Sequence, residues 1–155
     1  MSQLDGQAIL KLLPHRFPLL LVDRVTECVP GEHIAGVKNI ANGEPLVDAA
    51  AAFPSLLVLE ALAQLSVILT FRTLERDPTG TELMLFAGID NARFHAPIVA
   101  GDRLLLSSRL KRLRRGLGVY LARCEVAGRL VAEAQLTAAW RIAADQPVGA
   151  HETRK

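Results

Sequence analysis

The C-terminal half of the chain alternates apolar and polar positions, whereas the N-terminal half contains one long apolar run. The clearest alternation covers 130–142, where apolar residues such as Leu136 alternate with polar residues such as Gln135. A period of two predicts a strand that turns one face toward a core. Strands are also predicted at 103–113 and 117–126, and glycine-containing turns join the three into an antiparallel meander.

The long apolar run predicts a central helix. It starts after Pro54, with Ser55 as the expected N-cap, and ends before the turn-forming residues 77–80. Apolar residues occupy every face, which is typical of a helix surrounded by other elements. A membrane span is not expected, although 49–71 is long enough for one. Glu60 lies at its centre, where an ionised carboxylate in lipid costs on the order of 3 kcal/mol.

Shorter elements complete the expected set: strands at 17–28, 32–40 and 83–89, and a short amphipathic helix at 5–13. Together they predict an α+β fold, an antiparallel five- or six-stranded sheet wrapped around one long central helix. We expect a single domain at 1–143 and a polar C-terminal tail at 144–155. Because such a sheet leaves an open edge, we also expect an even-numbered homo-oligomer.

Composition narrows the classes of function. Half of the 155 residues are apolar and 22% are charged, so a core can form, and the net charge of +2 gives no global field for nucleic acid. The aromatic content of 5% also argues against base stacking. Cys28 and Cys124 have no CxxC neighbour, so neither a disulfide framework nor a metal site is indicated. We expect a cytoplasmic protein with no cofactor and no signal peptide.

Glu60 is the first candidate for chemistry. It lies in the apolar helix, with Gln64 one turn later on the same face. Buried acids are uncommon without a partner or a task, and an apolar cleft favours general acid or base work. The simpler alternative is a carboxylate at an exposed helix end, stabilised by the helix dipole.

Long blocks of the chain resemble the FabZ-type 3-hydroxyacyl-ACP dehydratases. The blocks that carry this resemblance are 9–25 (ILKLLPHRFPLLLVDRV), 38–40, 42–45, 59–64 (LEALAQ), 86–94 (FAGIDNARF), 97–104 and 131–134. They cover almost the whole chain in order. The resemblance implies a hot-dog fold, dimers as building blocks, and an acyl chain on a phosphopantetheine arm that enters a tunnel at the dimer interface.

The resemblance also implies a mechanism with two side chains. A His from a Gly-His-Phe-Pro motif on one subunit removes the proton next to the thioester carbonyl, and a Glu on the other subunit's central helix protonates the departing hydroxyl. Glu60 matches that Glu, and Gln64 matches its neighbouring Gln. Backbone N–H groups near the helix start are expected to polarise the thioester oxygen. The implied substrate-binding residues are Phe53, Pro54, Ser55, Leu56, Gly88, Ile89 and Phe94.

The chain departs from this pattern where the base is expected. Residues 46–55 read LVDAAAAFPS, which is shorter than the family segment and carries alanines in place of the His. A positioned general base typically contributes ~10² to 10⁴ in rate. Three alternatives follow: a relocated base, a hot-dog acyl-thioesterase that uses Glu60, or a non-catalytic acyl-carrier-binding subunit, either alone or beside a catalytic paralogue.

Three histidines are weighed as the relocated base, His15, His95 and His33, and each has a simpler explanation. His15 belongs to the Leu-Pro-His-Arg block, where a structural role is the simpler interpretation. His95 follows the strand that the resemblance implies to line the tunnel, and its simpler interpretation is an exposed loop histidine. His33 is expected to face solvent, and His151 lies in the tail.

A basic cluster marks the turn between two predicted strands. Its members are Lys111, Arg112, Arg114 and Arg115. Such a cluster is often only a solvated turn, but local positive charge also suits docking of an acidic acyl carrier protein. The expected partners are therefore an acyl carrier protein or CoA thioester and further copies of the chain, with neither nucleic acid nor membrane.

Overall fold

The computed structural model of this chain describes residues 2–47, 52–79 and 82–142. Within these ranges the elements follow one another as α1 (Gly6–Leu12), β1 (Arg24–Val29), β2 (His33–Asn39), β3 (Ala52–Phe53), α2 (Ser55–Thr73), β4 (Glu82–Phe94), β5 (Ile98–Val99), β6 (Arg103–Arg114), β7 (Leu117–Val126) and β8 (Arg129–Ile142). The expected tail at 144–155 lies outside the described residues.

In the part of the chain that the structure describes, six strands form one antiparallel sheet in the order β1-β2-β6-β7-β8-β4. The predicted meander of β6, β7 and β8 is confirmed. On β8, Ala134, Leu136 and Ala138 are buried, and the residues between them are partly exposed. The predicted alternation is therefore confirmed: every second side chain of β8 faces the core.

Two shorter strands differ from expectation. The strand expected at 17–28 begins only at Arg24, because Leu19 and Leu20 donate their N–H groups to the Arg16 carbonyl and turn the chain. Pro18, which has no N–H to offer a sheet, lies in the same turn. The strand expected at 83–89 is instead the longer β4, whose pairing with β8 continues through two register shifts.

Helix α2 lies at the centre of the fold and contacts β2, β6, β7 and β8. Every residue from Ala61 to Phe71 is buried, as the apolar run predicts. By length and composition alone α2 could cross a membrane, but most of it is enclosed by protein. The expectation that Ser55 is the N-cap is wrong. Pro54 occupies that position, and its carbonyl accepts the Leu57 N–H at 2.9 Å.

Two hydroxyl pairs join α2 to the sheet. Ser66 Oγ lies 2.7 Å from Ser108 Oγ, and the Thr70 hydroxyl pairs with the Tyr120 hydroxyl. All four side chains are buried, and burial raises the pKa of the Tyr120 phenol. Because a buried hydroxyl without a partner is costly, these pairs fix how the helix sits on the sheet.

Both cysteines are free and buried. Burial raises the pKa of the Cys28 thiol, and it raises the pKa of the Cys124 thiol to about 12. Since the thiolate is the reactive form, both residues behave as small apolar core residues at neutral pH.

Gly36 lets α2 approach β2 closely. A Cβ at this position would come within 2.8 Å of the Arg24 carbonyl oxygen and 3.0 Å of Leu65 Cδ1 on α2. Since the Arg24 oxygen belongs to the backbone of the neighbouring strand, it cannot simply rotate away. The absence of a side chain at Gly36 therefore sets the distance between the helix and this part of the sheet.

We expect Gly36→Ala to lower the free energy of unfolding by about 1 to 3 kcal/mol, the usual cost of overpacking a core. The matched control is Gly88→Ala on β4, where a Cβ would make only an ordinary contact with Thr137, 3.9 Å away. Its stability should change by less than ~1 kcal/mol. Urea denaturation of both variants is the measurement, and equal stabilities would contradict this account of the helix and sheet contact.

Candidate functional site

One face of α2 carries the candidate chemistry. Glu60, Gln64, Val67 and Phe71 follow one another at steps of four, three and four residues, which places them along one side of a helix. The last three are buried, whereas the Glu60 side chain is 35% exposed. The stripe therefore runs from a polar, accessible end to an apolar, enclosed end.

Gln64 ties Glu60 to the N-terminal part of the chain. Its Nε2 donates to Glu60 Oε1 at 2.9 Å and to the Leu19 carbonyl at 2.8 Å, and its Oε1 accepts the Leu21 N–H at 2.9 Å. With 1% exposure, Gln64 makes these three bonds in the absence of competing water. The position of the Glu60 carboxylate is thus fixed by a buried amide that uses both of its N–H groups and its oxygen.

The structure brings His15 to the same carboxylate. His15 Nε2 lies 3.2 Å from Glu60 Oε1, and both side chains are about one third exposed, at 34% and 35%. His15 follows the end of α1, where the Arg16 guanidinium donates to the carbonyls of Leu10, Leu13 and His15. These bonds satisfy carbonyls left open at the helix end and hold the backbone that carries the imidazole.

Glu60 and His15 open onto a cavity of about 440 Å³. This volume is in the range of small-molecule binding sites. Its wall consists of Leu10, Lys11, Leu12, Leu13, Pro14, His15, Arg16, Glu60, Gln64, Val67, Phe71, Pro78 and Phe86. Glu60 is the only carboxylate among the described residues of this wall, while the enclosed end is apolar.

Much of this wall was missed by the sequence analysis. None of the expected substrate-binding residues Phe53, Pro54, Ser55, Leu56, Gly88, Ile89 and Phe94 belongs to the cavity wall within the protomer. Phe53 is buried in β3, whereas Leu56 is 72% exposed and Ile89 is 49% exposed. The apolar end of the cavity could have been predicted in part, because helical spacing places Val67 and Phe71 on the same face of the helix as Glu60. No periodicity links the segment at 10–16 to α2.

The other described histidines pair elsewhere. His33 Nε2 lies 3.0 Å from Glu27 Oε1 in the β1–β2 hairpin. His95 Nε2 lies 3.3 Å from Glu133 Oε1, which also contacts Arg123, and Glu133 lies on the sheet face that points away from α2. His15 is therefore the candidate base that the structure of one protomer brings to Glu60, and His95 is not brought there. His151 lies outside the described residues.

The segment expected to carry the base is described only in part. Residues 48–51 lie outside the described ranges. Just before them, Lys38 Nζ lies 2.8 Å from Glu44 Oε1, and each of these side chains is only 9% exposed. This buried pair fixes where the chain leaves β2 and enters the segment at 46–55.

The basic cluster lies on the β6–β7 hairpin, as predicted. Its four side chains are exposed and make no hydrogen bond or ion pair with another described residue: Lys111, Arg112, Arg114 and Arg115. Leu113, next to Arg114, shares a row across the sheet with Gly118, Ala138 and Phe86. Phe86 is part of the cavity wall, and three strand spacings amount to about 14 Å.

A comparison with protein-family models matches residues 13–135 to the FabA-like domain. Among curated proteins, a 3-hydroxyacyl-[acyl-carrier-protein] dehydratase FabZ from Thiobacillus denitrificans is 44% identical over 142 residues, which cover 89% of this chain and 98% of the relative. The FabZ of Shewanella loihica is 40% identical over 145 residues, which cover 91% of this chain and 95% of the relative.

Solved structures show the same fold at lower identity. The dehydratase heterocomplex ApeI:P from Xenorhabdus doucetiae matches with a TM-score of 0.76 at 15% identity, over 86% of this chain and 90% of the other. A mutant thioesterase from Pseudomonas aeruginosa matches with a TM-score of 0.60 at 16% identity, over 76% of this chain and 79% of the other. These likenesses confirm the hot-dog architecture, but a shared fold does not fix the reaction.

We expect Gln64→Met to lower the free energy of unfolding by roughly 2 to 4 kcal/mol, because the Leu19 carbonyl and the Leu21 N–H would lose their partner. Amide hydrogen exchange at Leu21 should accelerate as well. The control is Gln135→Met, where the amide makes only a 3.4 Å contact with Asp90. Unchanged protection at Leu21 in the Gln64 variant would contradict the anchoring role.

Proposed function

The chain belongs to the FabA-like family, with FabZ dehydratases among its relatives, and we propose that it dehydrates 3-hydroxyacyl thioesters at the Glu60 cavity. The observation that carries the proposal is the carboxylate of Glu60 at the polar end of a cavity whose other end is apolar. An acyl thioester has the matching shape: a polar reacting end and an apolar chain.

Dehydration of such a substrate removes a proton from the carbon next to the thioester carbonyl and a hydroxyl from the following carbon. The hydroxyl departs as water only if an acid protonates it. Glu60 supplies this acid, because Gln64 and His15 both contact Oε1, while Oε2 has no partner among the described residues. The free oxygen is available to the substrate.

We further propose that the chain is a divergent member of its family, one whose proton acceptor does not come from residues 46–55. That segment contains no histidine. If no other residue accepts the proton, the Glu60 cavity has two alternative functions. Glu60 could activate water for thioester hydrolysis, or the chain could bind acyl carriers beside a catalytic paralogue.

A homo-oligomer completes the proposal. Strand β4 lies at an edge of the sheet and exposes Leu85, Phe86, Ile89 and Phe94. Pairing with a second copy would cover this edge and close the cavity beside Phe86. The two buried, free thiols suit the reducing cytoplasm in which we expect the protein to work.

The carrier is proposed to dock on the β6–β7 hairpin. Unpaired basic side chains attract an acidic carrier protein over several ångströms and raise the rate of encounter. The short distance from the hairpin to Phe86 would let the carrier's thioester arm reach the cavity. A CoA thioester, which has no carrier protein, would use the cavity without the hairpin.

We expect Glu60→Gln to lower the rate of enoyl formation from 3-hydroxyacyl-ACP by ~10² to 10⁴, the usual contribution of a positioned acid. The matched control is Glu133→Gln on the outer face of the sheet, which should keep full activity. The assay follows the enoyl product and free thiol in parallel, with acyl-CoA as second substrate. Thiol release without enoyl product supports the thioesterase, and undiminished turnover in the Glu60 variant contradicts any catalytic role.

We expect Arg114→Glu to lower kcat/KM for ACP-borne substrate on the order of tenfold at low salt, because steering by charge is lost. Turnover of a CoA-borne substrate should stay the same. Arg129→Glu, at the opposite end of the meander, serves as the charge-matched control. A loss that is equal for both carriers, or equal in the control, would contradict docking on the hairpin.

A further inference from the structure

The proposed dehydration lacks a proton acceptor, and one imidazole is placed to supply it. We propose that His15 is this acceptor, so that a single protomer provides both the acid and the base of the site. This inference rests on the proposed function and deepens it. It assigns a catalytic role to a residue outside the segment at 46–55.

The separation of the two groups fits the reaction. The proton and the hydroxyl leave from adjacent carbon atoms, so the acid and the base must reach positions only a few ångströms apart. His15 Nε2 and Glu60 Oε1 are 3.2 Å apart, and both residues belong to the cavity wall. A substrate whose second and third carbon atoms lie above this pair would meet both groups at once.

The burial of the second ring nitrogen identifies the atom of His15 that is available for the reaction. His15 Nδ1 is buried and has no hydrogen-bond partner among the described residues. A buried nitrogen cannot take a proton from a substrate in the cavity, so Nε2 is the ring nitrogen that can act as the base. Among the described residues, Glu60 is the only polar partner of the ring, and Nε2 makes that contact.

The backbone that carries His15 is also held in place. Arg16 donates to the His15 carbonyl at 2.7 Å and to the Leu13 carbonyl at 2.8 Å. Leu13 is buried, and Gln64 holds Glu60 from the other side. Gln64 therefore orients the Glu60 carboxylate, and Arg16 fixes the backbone from which the His15 ring reaches it, which favours a site that is in place before the substrate arrives.

The proposed step balances within the pair. Neutral His15, which carries its hydrogen on the buried Nδ1, takes the proton from the carbon next to the thioester carbonyl on Nε2, and the electron pair of that C–H bond forms the new C=C bond. The C–O bond at the following carbon breaks, and protonated Glu60 gives its proton to the departing oxygen, which leaves as water. The proton on His15 then passes across the contact to Glu60, so both groups return to their starting states.

The test compares His15→Gln with His33→Gln. The two histidines are closely matched, since His33 also contacts a glutamate, at 3.0 Å, with 32% exposure against 34% for His15. A glutamine can donate to Glu60 but cannot accept and return a proton. We expect enoyl formation to fall on the order of 10² to 10⁴ in the His15 variant and to stay unchanged in the His33 variant.

Exchange in D₂O separates the base from the acid. Unreacted 3-hydroxyacyl thioester should take up deuterium at the carbon next to the carbonyl with Glu60→Gln, which keeps the base, and not with His15→Gln. Retained turnover and exchange in His15→Gln would overturn the assignment and leave the proposed function intact. A native protein that forms no enoyl product would overturn both.

Mixed oligomers test whether the pair acts within one chain. The His15→Gln and Glu60→Gln chains, co-expressed with different affinity tags and isolated as hetero-oligomers, should remain as inactive as either variant alone. If the acid and the base came from different chains, the mixture would hold one intact site. Restored activity would therefore overturn the claim that one protomer supplies both groups.

Discussion

The placement of the candidate site depends first on one buried amide. Gln64 lies on the central helix, and its three hydrogen bonds reach the Glu60 carboxylate and the backbone of Leu19 and Leu21. When a helix has apolar residues on every face, its hydrophobic pattern alone does not fix its rotation about its own axis. The Gln64 bonds, with the Ser66 and Thr70 hydroxyl pairs, select one rotation and place Glu60 at the cavity.

Much of the fold could be predicted because it follows from local pattern. The alternation around Leu136 predicted β8, and the apolar run after Pro54 predicted α2. The prediction of the N-cap of α2 failed because the preference of one residue type was outweighed by the backbone of its neighbour. Ser55 is a favoured N-cap residue, but the fixed φ of Pro54 already suits the first position outside the helix, and the Pro54 carbonyl starts the hydrogen-bond ladder.

The site could be predicted only where it shares a helix. Glu60 and Gln64 are one turn apart, so their common face follows from helical spacing. His15 comes close to Glu60 only through the packing of α1 and the following segment against α2, which no periodicity records. His95, near the end of a strand expected at the tunnel, instead pairs with Glu133 on the far face of the sheet. Contacts between segments that are far apart in the sequence decide which of these two histidines reaches Glu60. The hydrophobic pattern of the sequence does not record such contacts.

The central claim is that one protomer places an acid and a base at the same end of an apolar cavity. The most direct measurement is a crystal structure with a bound pantetheine thioester of a 3-hydroxyacyl chain. The account predicts the 3-hydroxyl within hydrogen-bond distance of Glu60, the adjacent carbon next to His15 of the same chain, and the acyl chain directed toward Phe71. A ligand that binds away from Glu60, or one that meets a histidine of another chain in place of His15, would contradict it.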